Sequence, residues 1–145
     1  MLVLTVASLA GIGAGLDASL IAQGADRYTA RLAWVPTGGG SGRISGGGLA
    51  TATLSGRTLT IAGTFEGLGG PASVARLHRG IAKGARGAAI ADLTVTKAVT
   101  GTVAGSVTLT PEQAQELGQG RLYVQVHSDK GVAPDGANLW GWFLR

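Results

Sequence analysis

Apolar and polar residues alternate along much of this chain, and this period of two is typical of strands with one buried face. The run YTARLAWV alternates in this way, and so do LATATLSGRTLTIAGTF and VTGTVAGSVTLT. Within the second of these runs, Ser55 and Gly56 interrupt the pattern and predict the tight turn of a β-hairpin. Further strands are predicted for SVARLHRG, GAAIADLTV, RLYVQVH and NLWGWFL.

One segment, TPEQAQELGQG, departs from the period of two and predicts a short helix near residues 111–117. Thr110 is its expected N-cap, Pro111 occupies the first helical position and a glutamine the third. Gly118 or Gly120 is expected at its C-terminal end. Many short strands with glycine-rich turns and a single helix predict an all-β fold, an antiparallel sandwich or barrel.

The N-terminal segment has a different composition from the rest of the chain. Residues 1–16 carry no charge, and small residues accumulate in the LIAQGA run that follows. This pattern predicts a secretory signal peptide over residues 1–25 and a single domain over residues 26–145. Against it, a basic leading region is absent and Asp17 follows the apolar core, so an N-terminal strand or helix is the alternative. The uncharged run is shorter than the roughly 20 residues of a membrane span, so no stable span is expected in the mature form.

Composition excludes several classes of protein. The 145 residues include 26 glycines and no cysteine. The absence of cysteine excludes disulfides, thiol nucleophiles, iron–sulfur clusters and cysteine-ligated zinc. The formal net charge of +4 is small, and zinc-finger, basic-zipper and RNA-binding aromatic motifs are missing. We therefore expect no nucleic-acid partner.

The two histidines are candidate metal ligands. His78 follows Arg76 by two residues on one predicted strand, and His127 ends another. Each faces away from the aliphatic residues of its strand, so the imidazoles converge if the strands are neighbours. With Asp129 or Asp135 they would form a Cu or Zn site, although the permanent charge of Arg76 opposes a bound cation. The alternative is a pair of histidines hydrogen-bonded to backbone or aspartate, with no cofactor.

A run of basic residues begins on the same strand. The segment RLHRGIAKGAR, which we call the basic strip, contains Arg76, Arg79, Lys83 and Arg86 and no acidic residue. Its interleaved glycines allow backbone N–H groups to approach an anion, so it is a candidate site for phosphate, sulfate or an acidic glycan. It lacks the spacing of a nucleotide-binding loop, and an ordinary solvated loop is the alternative.

The last predicted strand carries two tryptophans on one face, Trp140 and Trp142, with Gly141 between them. They either pack in the core or form an exposed platform for a glycan or protein partner.

Catalytic motifs are missing from the chain. Glu112 and Glu116 lie one helical turn apart, which indicates a solvated helix face. No G-x-S-x-G elbow or comparable nucleophile motif is present. We therefore expect a protein without enzyme activity.

Three segments together resemble the CHRD (chordin-type) domain family: FEGLGGPASVARLHRGIAKGARGAAIADL, GTVAGSVTLTPEQAQELGQGRLYVQVHS and PDGANLWGWF. The likeness extends over about residues 27–144. In that family a strand ends in Ala-His-Ile-His-Gly; here Arg76 stands at the first histidine and His78 at the second. The family's ending has Glu and Arg where this chain has Asn138 or Ala137, and Trp140.

The resemblance implies an extracellular, all-β, immunoglobulin-like domain without a defined activity. The expected function is therefore that of a secreted, non-catalytic binding or structural module, in the periplasm, at the cell surface or outside the cell. Its partner would be an unidentified protein or glycan. Metal binding through His78 and His127, and anion binding through the basic strip, are the two alternatives.

Overall fold

The structure is a computed structural model, and it describes residues 24–35, 46–129 and 138–145. Nearly all of the predicted signal peptide, and Asp135, lie outside the described residues. The strands are β1 Asp26–Trp34, β2 Gly47–Ser55, β3 Thr58–Glu66, β4 Ala72–Ala82, β5 Ala85–Val95, β6 Gly101–Thr108, β7 Leu122–Ser128 and β8 Asn138–Trp142. One helix, α1 (Pro111–Gly118), lies between β6 and β7.

The eight strands form a closed antiparallel barrel in the order β1-β2-β3-β6-β5-β4-β7-β8. The connections after β3 and after β6 join strands that are not neighbours, and the second connection contains α1. The all-β prediction with one short helix is confirmed. The architecture is a closed barrel and not clearly an immunoglobulin-like sandwich.

The barrel has two four-stranded halves, which are joined by two short strand pairings that we call seams. We call β1, β2, β3 and β6 the first sheet, and β5, β4, β7 and β8 the second sheet. The β5–β6 seam has the registered pairs Thr94↔Ala104 and Val95↔Val103, and the β1–β8 seam has Ala33↔Trp140 and Trp34↔Leu139. These pairs join two sheet-like halves into one barrel, which the alternation of apolar residues could not indicate.

The barrel core takes the apolar face of each strand, as the alternation predicts. On β3, Leu59, Ile61 and Phe65 are all buried. On β4, Ala75 and Leu77 are completely buried, whereas Arg76 and His78 on the opposite face are half-buried. The alternation in VTGTVAGSVTLT puts Val99 on the same face as Val103, and this prediction is wrong: Val99 precedes β6 and is exposed.

The helix and the β2–β3 turn form at the positions that the Thr110 N-cap and the Ser55-Gly56 pair predict. Thr110 accepts a hydrogen bond at Oγ1 from the Gln113 backbone N–H (3.1 Å), and the Gln113 side chain accepts one from the Thr110 N–H (3.0 Å). This reciprocal capping box confirms the predicted start of α1. In the hairpin, Ser55 pairs with Thr58, and Gly56 adopts φ +59°, a conformation that glycine tolerates at no steric cost.

Candidate functional site

The outer face of the second sheet gathers most of the candidate residues. The strand register aligns them in rows that cross β4, β7 and β8. The first row is His78, Tyr123 and Trp142, the second is Arg76, Gln125 and Trp140, and the third includes His127 and Asn138. We call His78, Tyr123, His127, Trp140 and Trp142 the outer-face cluster.

Tyr123 is the centre of this cluster. Its ring stacks on His78, with centroids 4.8 Å apart and planes at 15°, and lies 4.3 Å from the ring of Trp142. The hydroxyl accepts a hydrogen bond from the Gly87 N–H (3.2 Å) and lies 3.3 Å from the Gly87 carbonyl oxygen, to which it can donate. Only 1% of Tyr123 is exposed, so a second buried layer lies outside the barrel core. The sequence pattern gave no sign of this, because the residue sits on the predicted polar face of β7.

The two tryptophans are fixed in a mutually tilted arrangement. Their ring centroids are 5.7 Å apart with an interplanar angle of 68°, which is the favourable edge-to-face geometry. The guanidinium carbon of Arg86 lies over Trp140, 5.4 Å from the ring centroid. Both indoles are half-buried, so they lie on the outer face with part of each ring open to a partner. The partner-surface assignment stays a prediction.

The histidines converge, because β4 and β7 are paired neighbours. Their ring centroids are 6.4 Å apart, and 3% of His127 is exposed. The Nδ1 atom of His78 lies 3.1 Å from the carbonyl oxygen of Gly87. The Nε2 atom of His78 and both ring nitrogens of His127 are buried without a hydrogen bond of normal geometry in the described part of the chain.

Burial lowers the pKa of both imidazoles below the ordinary value of 6.5. The hydrogen bond with Gly87 opposes this shift in the pKa of His78, and the charge of Arg76 adds to it. For His127, the neighbouring His78 and Arg76 lower the pKa further. Asn138 opposes that shift, although its contact with the ring falls outside normal hydrogen-bond geometry. Both histidines are therefore neutral at pH 7 and could ligate a metal without first losing a proton.

The third ligand that the sequence suggested is not supplied by the described residues. Within residues 24–35, 46–129 and 138–145, no group of three or more His, Cys, Asp or Glu side chains could hold a metal ion. Asp129 does not join the two histidines in such a group. A metal bound here would therefore have the two imidazoles as its only His, Cys, Asp or Glu ligands from the described part of the chain.

The basic strip is partly neutralised by acidic residues from distant parts of the chain. Arg76 forms an ion pair with Asp92 of β5 (2.8 Å). Arg79 forms ion pairs with Glu112 (2.7 Å) and Glu116 (2.5 Å) of α1, and hydrogen bonding to Glu116 is the main cause that raises its pKa. The sequence showed no acid within the strip, and these partners come together only when the barrel forms. Anion binding by the strip stays a prediction.

Glu116 was predicted on a solvated helix face, and this prediction is wrong. Glu112 is exposed, but only 4% of Glu116 is exposed, and its carboxylate forms ion pairs with two arginines. Besides Arg79, it pairs with Arg121 (3.0 Å), and Arg121 also donates to the carbonyl oxygen of Gly80. The carboxylate thus ties α1 to the end of the second sheet.

The CHRD domain family model matches residues 29–137. The chain belongs to the CHRD domain family. That confirms the resemblance carried by the three segments. The comparison with curated proteins gave no match, and neither did the comparison with solved structures.

Membership in the CHRD family indicates a binding or structural module, and the family is generally non-catalytic. CHRD domains occur in extracellular and secreted proteins. Among the residues that the structure describes, no helix has the length and apolar character needed to cross a membrane.

Proposed function

We propose that this CHRD domain is a secreted, non-catalytic binding module that contacts a glycan or protein through the outer-face cluster. The observation that carries the proposal is the pair of half-buried, tilted indoles, Trp140 and Trp142, held against the buried Tyr123 ring. Aromatic side chains fixed by their neighbours lose little conformational entropy on binding, and they dominate contact energies at interfaces. A platform of this kind suits a sugar ring or an apolar protein patch.

The partner-binding test uses intrinsic tryptophan fluorescence and calorimetry. The probes are soluble neutral and acidic polysaccharides and purified cell-surface proteins. For the partner that binds, Trp140→Ala and Trp142→Ala are each expected to weaken affinity by roughly tenfold or more, because each removes a central aromatic contact. Leu49→Ala is the matched control, since it removes an exposed apolar side chain from the first sheet. Binding that survives both tryptophan changes, or that is lost equally in the control, contradicts the proposal.

Secretion is a separate part of the proposal. Strand β1 begins at Asp26, directly after the predicted signal peptide. The mature N-terminus is expected within a few residues of Gly24 to Asp26. N-terminal sequencing or intact-mass measurement of the protein from its native host checks this, and an extracytoplasmic protein that still carries residue 1 contradicts it.

The basic strip is less well supported as the primary site. An anion at Arg76 or Arg79 would compete with carboxylates held at 2.8 Å and 2.5 Å. Metal binding is the second candidate function, and one specific observation favours it: buried ring nitrogens on two adjacent histidines that have no ordinary hydrogen-bond partner among the described residues.

A further inference from the structure

We propose that His78 and His127 bind one monovalent copper ion between them, in near-linear two-coordinate geometry. This inference rests on the metal-binding candidate and is independent of the tryptophan platform. It specifies the ion, its oxidation state and its coordination number, and it separates this site from zinc and divalent copper sites.

The spacing of the two rings limits the coordination geometry of an ion that they share. A metal bound about 2.0 Å from an imidazole nitrogen lies about 3.1 Å from that ring's centroid. Two rings on opposite sides of one ion therefore have centroids about 6.2 Å apart, whereas a tetrahedral angle brings them to about 5.1 Å. The observed separation of 6.4 Å matches the opposed arrangement. The interplanar angle of 48° is compatible with it, because rotation about a linear axis leaves the coordination unchanged.

The hydrogen bonding of His78 selects the nitrogen that would ligate. Donation from Nδ1–H to the Gly87 carbonyl leaves the lone pair on Nε2. Metal-binding histidines commonly donate their second ring nitrogen to a backbone carbonyl, which fixes the tautomer and the ring orientation. The Nε2 atom of His78 is buried and lacks a partner of normal geometry in the described chain, and stacking on Tyr123 holds the ring in place.

The donor set selects the metal. Structural zinc takes four ligands, and divalent copper prefers a tetragonal set of nitrogen and oxygen donors. The described residues supply no third His, Cys, Asp or Glu to a common site. Monovalent copper accepts two neutral nitrogen donors, and the ring nitrogens that would supply them are buried.

Charge favours a monovalent ion as well. Arg76 lowers the pKa of both imidazoles through its positive charge, and the same charge repels a bound cation. Asp92 offsets part of that charge at 2.8 Å. The remaining repulsion is half as large for a monovalent ion as for a divalent one.

The binding test uses the full chain without an affinity tag. Monovalent copper is supplied anaerobically as its acetonitrile complex, in competition with the chromogenic chelator bicinchoninate. We expect one ion per chain to be retained, and neither Zn²⁺ nor Cu²⁺ to be held under the same conditions. X-ray absorption is expected to show two imidazole nitrogens and the intense pre-edge feature of two-coordinate monovalent copper. The chain has no cysteine and one methionine, so thiolate binding cannot produce this result.

Three variants define the site. His78→Gln and His127→Gln are each expected to lose the bound ion. Arg76→Gln is expected to tighten binding by roughly tenfold, because it removes a nearby positive charge. Arg57→Gln is its matched control: it removes the same charge at the β2–β3 turn and should leave affinity unchanged. Should a histidine variant fail to fold, the wild-type absorption spectrum and the Arg76 variant still decide the question.

The outcomes separate the inference from the broader metal-binding candidate. Zn²⁺ or Cu²⁺ retained at these histidines, or a copper spectrum with three or more protein ligands, overturns the monovalent two-coordinate site and leaves metal binding standing. Failure to retain any of the three ions overturns both. Retention of monovalent copper by folded variants that lack either histidine overturns the assignment of the ligands.

Discussion

Replacing Glu116 by glutamine is expected to lower the free energy of unfolding by about 2 kcal/mol. The carboxylate is almost completely buried, and it satisfies Arg79 at 2.5 Å and Arg121 at 3.0 Å. Removing one partner of a buried ion pair leaves the other charges without compensation. The side chains of Arg79 and Arg121 keep 34% and 27% of their exposure, so water solvates them in part. The loss of stability is therefore smaller than for a fully buried ion pair.

Urea unfolding monitored by tryptophan fluorescence measures the effect. Glu112→Gln is the matched control, since it removes a carboxylate from the same helix and from the same arginine. Its side chain is 69% exposed, and we expect a change within about 0.5 kcal/mol. Equal effects of the two substitutions would mean that burial of Glu116 contributes nothing to stability.

Mild acid is expected to destabilise the metal-free barrel through the histidine pair. Burial lowers the pKa of both His78 and His127 in the folded protein, whereas the unfolded chain titrates near 6.5. Between the folded pKa values and 6.5, the unfolded chain therefore binds more protons than the folded one. The free energy of unfolding decreases as pH falls through this window and levels off below the folded pKa values.

The slope of the unfolding free energy against pH reports how many titrating groups contribute. With both histidines contributing, its upper limit is two protons, or about 2.7 kcal/mol per pH unit. Thermal unfolding from about pH 8 to about pH 5 measures it, and proton NMR resolves the two imidazoles directly. The double variant His78→Gln/His127→Gln should lack this slope in the same window. If the stability of the double variant depends on pH as steeply as that of the wild type, the histidines are not the source of the pH dependence.

The local elements of the fold could be predicted from the sequence, because each depends on neighbouring residues. The alternation of apolar residues predicted the buried faces of β3 and β4, and the Thr110 capping box predicted the start of α1. The closure of the barrel depends on pairs such as Thr94↔Ala104 and Ala33↔Trp140. Ala33↔Trp140 joins the first strand to the last, and Thr94↔Ala104 joins two consecutive strands through only two residue pairs. A period of two gives no information about which strands pair, or over what length.

The candidate site could be predicted only in part, for the same reason. Residue type and strand parity placed His78 and His127 on outward faces. They put Trp140 and Trp142 on one shared face and left open whether that face is buried or exposed. The central position of Tyr123 and the burial of Glu116 could not be predicted, because both depend on which strand or helix lies alongside. The partner of Arg76 is Asp92, which comes from the neighbouring β5 strand.

The two short seams are the places where the barrel should open most easily. Each joins the two sheets through two registered pairs and a flanking backbone contact, Thr29 with Leu144 beside one seam and Thr96 with Thr102 beside the other. In contrast, the pairs from Thr58↔Thr108 to Phe65↔Gly101 link β3 and β6 along nearly their whole length. Local opening favours the places with the fewest cooperative contacts, so the barrel should part along its seams before either sheet frays. After such an opening, each sheet would keep its own strand pairing and move as one unit. The histidines and tryptophans lie on paired strands of the second sheet, so their mutual geometry would be preserved.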